Sequence, residues 1–152
     1  MKDAALHLEQ YLPAANTTNV TGILDLGVDA PGVSTAGIGN FTFSDQWRLG
    51  RIRVTVPALP NHTNNALNIT LTLTDSADNG ATFQQGGTAG SAVALPLIQV
   101  VIPGVATNGS ALTIVDVPLP PDLRGPIQFL QSVPATDGNN TAALIQYDWV
   151  NE

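Results

Sequence analysis

Cysteine is absent from the 152 residues, which excludes disulfides, thiolate metal sites and cysteine nucleophiles. Charge is scarce as well: Asp, Glu, Lys and Arg make up 11% of the chain, against about 25% in an average soluble domain. Basic residues are the scarcest, five Lys and Arg against twelve Asp and Glu, for a net charge of −7. Phosphate-backbone binding needs clustered Lys and Arg. Arg48, Arg51 and Arg53 form the one such cluster, so no nucleic-acid partner is expected. No apolar run approaches the ~18–20 residues of a membrane span, and no membrane partner is expected. Asp3, His7 and Glu9 interrupt the opening MKDAALHLEQYLPAA, which reads as no export signal.

Signatures of chemistry are equally thin. No HExxH, GxSxG or Walker-type loop occurs. The histidines, His7 and His62, share no motif that would position a partner, and both read as solvated surface groups. The turn Asp75–Gly80 resembles the start of a calcium loop, but Ala77 stands at a ligand position and Gly86 where the closing Glu belongs. Nothing singles out a carboxylate pair for glycoside chemistry. No metal, no cofactor and no enzymatic activity are expected. Sequons occur at Asn16, Asn19, Asn40, Asn61, Asn68, Asn108 and Asn139. In a chain this rich in Asn and Thr they carry little force, and Asn68 lies inside an expected strand.

What is present is period two. In Leu67–Thr74, Leu67, Ile69, Leu71 and Leu73 alternate with Asn68, Thr70, Thr72 and Thr74, the pattern of a half-buried strand and not of a helix. The turn Asp75–Gly80 and Ala81–Gln84 make residues 67–84 a hairpin. Val20–Leu26 reads as the first strand, and Phe41 and Phe43 mark another. In Arg51–Val56, Ile52, Val54 and Val56 face the core while Arg51, Arg53 and Thr55 do not. Leu95–Ile102 is apolar nearly throughout, as for a strand covered on both faces. Leu112–Val117, Ile127–Val133 and Ala142–Val150 complete the set, the last carrying Tyr147 and Trp149 on one side. The Pro-rich stretch 118–126 belongs in no sheet interior. About eight or nine short strands without a long helix indicate an all-β, antiparallel two-sheet sandwich of jelly-roll type, occupying residues 20–152.

Residues 1–19 differ in character. Leu6, Leu8, Tyr11 and Leu12 sit at mixed spacing before Pro13, which halts any helix. One short helical turn and an extended arm both fit. The small polar run Ala14–Asn19 favours an arm that leaves the body, against the alternative of a frayed terminus. Four sizeable apolar side chains on it are partner-contact candidates, docking on a neighbouring surface.

The order of signals resembles the capsid cement (decoration) proteins of tailed bacteriophages. The likeness rests on a short arm before Asn19-Val20, Leu24-Asp25-Leu26-Gly27 and Leu71-Thr72-Leu73-Thr74-Asp75-Ser76-Ala77-Asp78-Asn79-Gly80 with Phe83. It continues through Val117-Pro118-Leu119-Pro120 with Leu123-Arg124, and a closing strand that opens Ala142-Ala143-Leu144. The resemblance spans about three-quarters of the chain. It implies a jelly-roll subunit that sits as a homotrimer on the outer capsid surface of the virion and clamps adjacent major capsid proteins. It also adds Arg124 to the contact candidates. Relatives continue past the Leu-Arg pair with aromatic and basic residues, whereas Gly125-Pro126-Ile127-Gln128 follows here. A carbohydrate- or receptor-binding β-sandwich is the alternative, and it requires an exposed aromatic platform from Trp47, Trp149, Tyr147 or Tyr11.

Overall fold

The computed structural model describes residues 2–25, 50–75, 84–85, 98–119 and 126–150. Among them are ten strand segments and no helix. One sheet, here sheet A, has the order β1 (Lys2–Tyr11), β10 (Leu144–Val150), β4 (Arg51–Val56), β8 (Thr113–Pro118). The other, sheet B, runs β2 (Thr17–Val20), β9 (Pro126–Val133), β5 (Asn68–Asp75), β6 (Gln84–Gln85). In sheet B, β3 (Leu24–Asp25) also pairs with β9, and β7 (Gln99–Pro103) also pairs with β5. Every pairing is antiparallel. The chain is a two-sheet β-sandwich.

Side-chain alternation explains which face each strand buries. Ile52, Val54 and Val56 on β4 and Ile69 and Leu71 on β5 have no exposed surface. Burying each such side chain contributes about 1.5–3 kcal/mol. The 67–84 hairpin forms through Thr74 opposite Gln85 and Asp75 opposite Gln84. Residues 41–43 and the turn 76–80 lie outside the described residues.

Three expectations need correction. The segment expected to leave the body is an edge strand: His7–Tyr11 pairs residue by residue with Asp148–Leu144 of β10. Between Lys2 and His7 the register shifts, and Gln10 shares the inward side with Leu8, so the apolar alternation of a strand is broken in the sequence. The expected strand 20–26 is instead two pieces. From Val20 opposite Leu130 to Leu24 opposite Ile127, one side advances four residues and the other three, which is a β-bulge. The Thr21 side chain fills the gap, its Oγ1 accepting the Phe129 N–H at 3.1 Å. Finally, β7 is covered on one face only, and Val101 is 50% exposed.

A buried polar network ties the sheets together. The Tyr147 hydroxyl of β10 donates to Gln131 Oε1 of β9 at 2.7 Å. Gln131 Nε2 donates to the Tyr11 carbonyl at 3.0 Å and to Asn19 Oδ1 at 2.8 Å. Burial pushes the Tyr147 hydroxyl far above the ordinary phenol range, so it stays a donor. Its ring stacks on Phe129 across the sheet interface, centroids 4.4 Å apart.

Candidate functional site

Four loops are knitted together at one end of the sandwich, joining β1 to β2, β4 to β5, β7 to β8 and β9 to β10. His62 is the knot. It has no exposed surface, so the expectation of a solvated histidine is corrected. Its Nδ1 lies 2.6 Å from Asp137 Oδ2 and its Nε2 lies 2.7 Å from the Ile102 carbonyl. A carbonyl only accepts, so Nε2 carries a proton. One further proton sits between Nδ1 and the carboxylate. The His62 main chain accepts Val105 N–H at 3.0 Å. Asn61 Nδ2 donates to the Asn139 carbonyl at 2.8 Å, and Asn139 Oδ1 accepts Ala15 N–H at 2.8 Å. Thr107 and Thr136 hold positive φ in these loops, which costs a β-branched residue of order 1–3 kcal/mol each. The Asn61 loop is polar in sequence, which conceals that its histidine is buried. The partners Asp137 and Ile102 are 75 and 40 residues away, and no local motif announces them.

A histidine–aspartate pair is the geometry of a general base. Here it is not positioned for that work, since both ring nitrogens are engaged and no water reaches the ring. Beside it lies an open groove lined by Pro57, Ala58, Pro60, Asn61, Asn139 and Thr141. It holds no charged side chain, and no cluster able to ligate a metal occurs among the described residues.

The outer faces of the two sheets differ in kind. Sheet A carries charge in register. His7, Asp148, Arg53 and Asp116 stand opposite one another across four strands. His7 Nδ1 bonds Asp148 Oδ1 and His7 Nε2 lies 2.9 Å from Glu9 Oε1. Asp116 accepts from Arg51 Nε at 2.7 Å and Arg53 Nε at 2.9 Å. The Arg53 and Arg51 guanidiniums hold its carboxyl below the ordinary range. His7 therefore also has partners that its sequence neighbourhood does not reveal.

Sheet B is different. Two rows cross it, Val20–Leu130–Thr72–Gln99 and Thr18–Ser132–Thr70–Val101, and neither contains a charge; Thr72 in the first is already buried, so the second is the accessible one. Their polar groups are partly paired already: Thr18 Oγ1 donates to Ser132 Oγ at 3.2 Å and Gln99 Nε2 to Thr72 Oγ1 at 2.9 Å. Val20 and Val101 stay exposed at its flanks. Covering such a face removes water from hydroxyls, amides and methyls but from no full charge, so desolvation is inexpensive.

Of the contact candidates from the sequence, Leu12 is buried in the chain's own core and Leu8 packs against that core. Tyr11 is 54% exposed. The backbone of Leu6 lies in β1, within the stretch where register shifts. Arg124 and Trp47 lie outside the described residues. The aromatic platform required by a sugar-binding module does not form from the rest: Tyr147 is fully buried, Trp149 packs against the core, and Tyr11 stands alone. The missed residues are Thr18, Thr70 and Val101, whose shared row depends on three strands meeting in register. Compared with known proteins, the chain matches no family model and no curated sequence.

Proposed function

We propose that this chain is a structural virion protein that binds the outside of a tailed-phage capsid as a homotrimer and stabilises contacts between major capsid proteins. The observation that carries the reading is the accessible uncharged row Thr18–Ser132–Thr70–Val101 on sheet B. A low-charge β surface suits a partner that is itself a protein shell, and burial of about 800 Å² per partner is the scale of a specific contact. Each bound copy then adds its binding free energy to a junction otherwise held by capsid–capsid contacts alone. Nucleic acid and membrane play no part in this mechanism, and it needs no turnover. The engagement of both His62 nitrogens supports a non-catalytic role.

The finer topology supports the same reading. Counting β2 with β3, and β6 with β7, as single interrupted strands reduces the ten segments to eight. Each four-stranded sheet then alternates strands from the two halves of the chain, as in the double Greek key of a jelly roll.

Co-sedimentation with phage heads stripped of their decoration tests the proposal. Saturable pelleting with the heads, together with a light-scattering mass of three times 15.8 kDa, is expected. A chain that stays in the supernatant with every candidate head overturns the capsid role.

A further inference from the structure

We infer that the copies of this chain join head to tail through sheet A, with β8 of one subunit pairing antiparallel to β1 of the next. The inference deepens the trimer reading above and rests on it.

Among the described residues, β8 pairs only with β4 and β1 only with β10, so both outer strands of sheet A present a row of main-chain N–H and C=O groups. Proteins commonly blunt such edges with lysine or proline; Lys2 opens β1 and Pro118 closes β8, while His7–Tyr11 and Thr113–Val117 between them hold neither. The strands of sheet A alternate in direction, so a following β1 meets β8 antiparallel and the sheet continues without a break.

One register suits both edges. Placing Asp116 opposite the partner's His7 extends the existing charge row from one subunit into the next. It also sets Ile114 opposite the partner's Glu9 and Leu112 opposite the partner's Tyr11. Leu112, Ile114 and Tyr11 are 60%, 57% and 54% exposed, the three largest values among the exposed apolar side chains of the described residues. Leu112 and Tyr11 then cover one another. The Tyr11 carbonyl already accepts from Gln131 and Asn19, so the main-chain ladder ends at Glu9 and this last pair meets through side chains alone.

Symmetry selects β1, and not a second β8, as the occupant. Pairing β8 with β8 is isologous, stops at two subunits and leaves β1 unused. Head-to-tail pairing uses both edges and sets the exposed Leu112 against the exposed Tyr11, and such an interface closes into a ring when the rotation permits. Main-chain bonds supply the attraction and the side chains fix the register, as in strand addition generally.

The absence of native cysteine makes disulfide trapping decisive. Ile114 and Glu9 lie three strand spacings apart within one subunit, about 14 Å, beyond the ~7 Å limit for a disulfide. An Ile114→Cys/Glu9→Cys variant can therefore bridge only between subunits. Expected is a covalent trimer on a non-reducing gel, absent in each single variant, with unchanged circular dichroism in reductant. Leu112→Cys/Tyr11→Cys provides a second, independent pair. A light-scattering trimer that neither pair traps overturns this interface and leaves the trimer standing. A monomer overturns both, and dimers from Ile114→Cys alone show β8 meeting β8 and also overturn the inference.

Discussion

Replacing Asp137 by Ala should be among the most damaging single changes in the described structure. The carboxylate and the His62 ring are almost wholly withdrawn from solvent, with side-chain exposures of 1% and 0%. Removing it strips Nδ1 of its 2.6 Å partner and takes the Oδ1 acceptor from Gly138 N–H at 3.0 Å. Breaking one member of a buried charged or charge-assisted pair costs about 3–5 kcal/mol, a large part of the 5–15 kcal/mol that stabilises a typical domain. At about 2–4 °C per kcal/mol for this chain length, Tm falls by about 6–20 °C. Urea unfolding followed by tryptophan fluorescence, with m unchanged, measures the loss. The double variant His62→Phe/Asp137→Leu should be less destabilised than the two single changes summed, by about 1–3 kcal/mol of coupling. A loss below about 1 kcal/mol for Asp137→Ala, or single changes that simply add, would refute the view that this pair holds the loop end together.

Other consequences are as direct. Tyr147→Phe keeps the stack on Phe129 but leaves Gln131 Oε1 without its buried donor, so unfolding should cost about 1–3 kcal/mol less in the same urea assay. Asp116→Asn should cost under about 1 kcal/mol at neutral pH, as an exposed ion pair does. Because Arg53 and Arg51 lower the folded carboxyl, its stabilising effect is present above the ordinary Asp value near 3.9. The effect disappears as pH falls through the lowered one, so acid titrations of variant and parent should converge there. Deleting residues 1–15 removes β1 and, with it, Leu8 and the buried Leu12; loss of the cooperative thermal transition is expected, and a folded truncation would show that β1 is dispensable.

The sandwich was legible where burial and period agree. Ile52, Val54 and Val56 face the core as their alternation predicts, and β5 pairs back with Gln84–Gln85 as the hairpin reading requires. Legibility failed where local pattern and tertiary surroundings part. The polar Gln10 between Leu8 and Leu12 hides an edge strand, because an inward polar group is tolerated at a sheet margin. The nearly continuous apolar run Leu95–Ile102 suggests two covered faces, yet Val101 is half exposed between the buried Val100 and Ile102. His62 sits in an Asn-rich loop whose burial depends on Asp137 and Ile102, and period carries no information about partners so distant. The charge row on sheet A and the uncharged rows on sheet B are properties of register between strands. Arg51, Arg53 and the threonines of β5 could be noted individually, but not which residues they would face.

The central claim is that the uncharged outer face of sheet B covers another protein. Thr70→Glu with Val101→Glu places two carboxylates side by side on that face, since these residues stand opposite each other. Binding of this variant to decoration-stripped phage heads should be weakened at least 100-fold in a sedimentation titration, while its urea midpoint stays near the parent value. Undiminished binding by a folded variant would contradict the account.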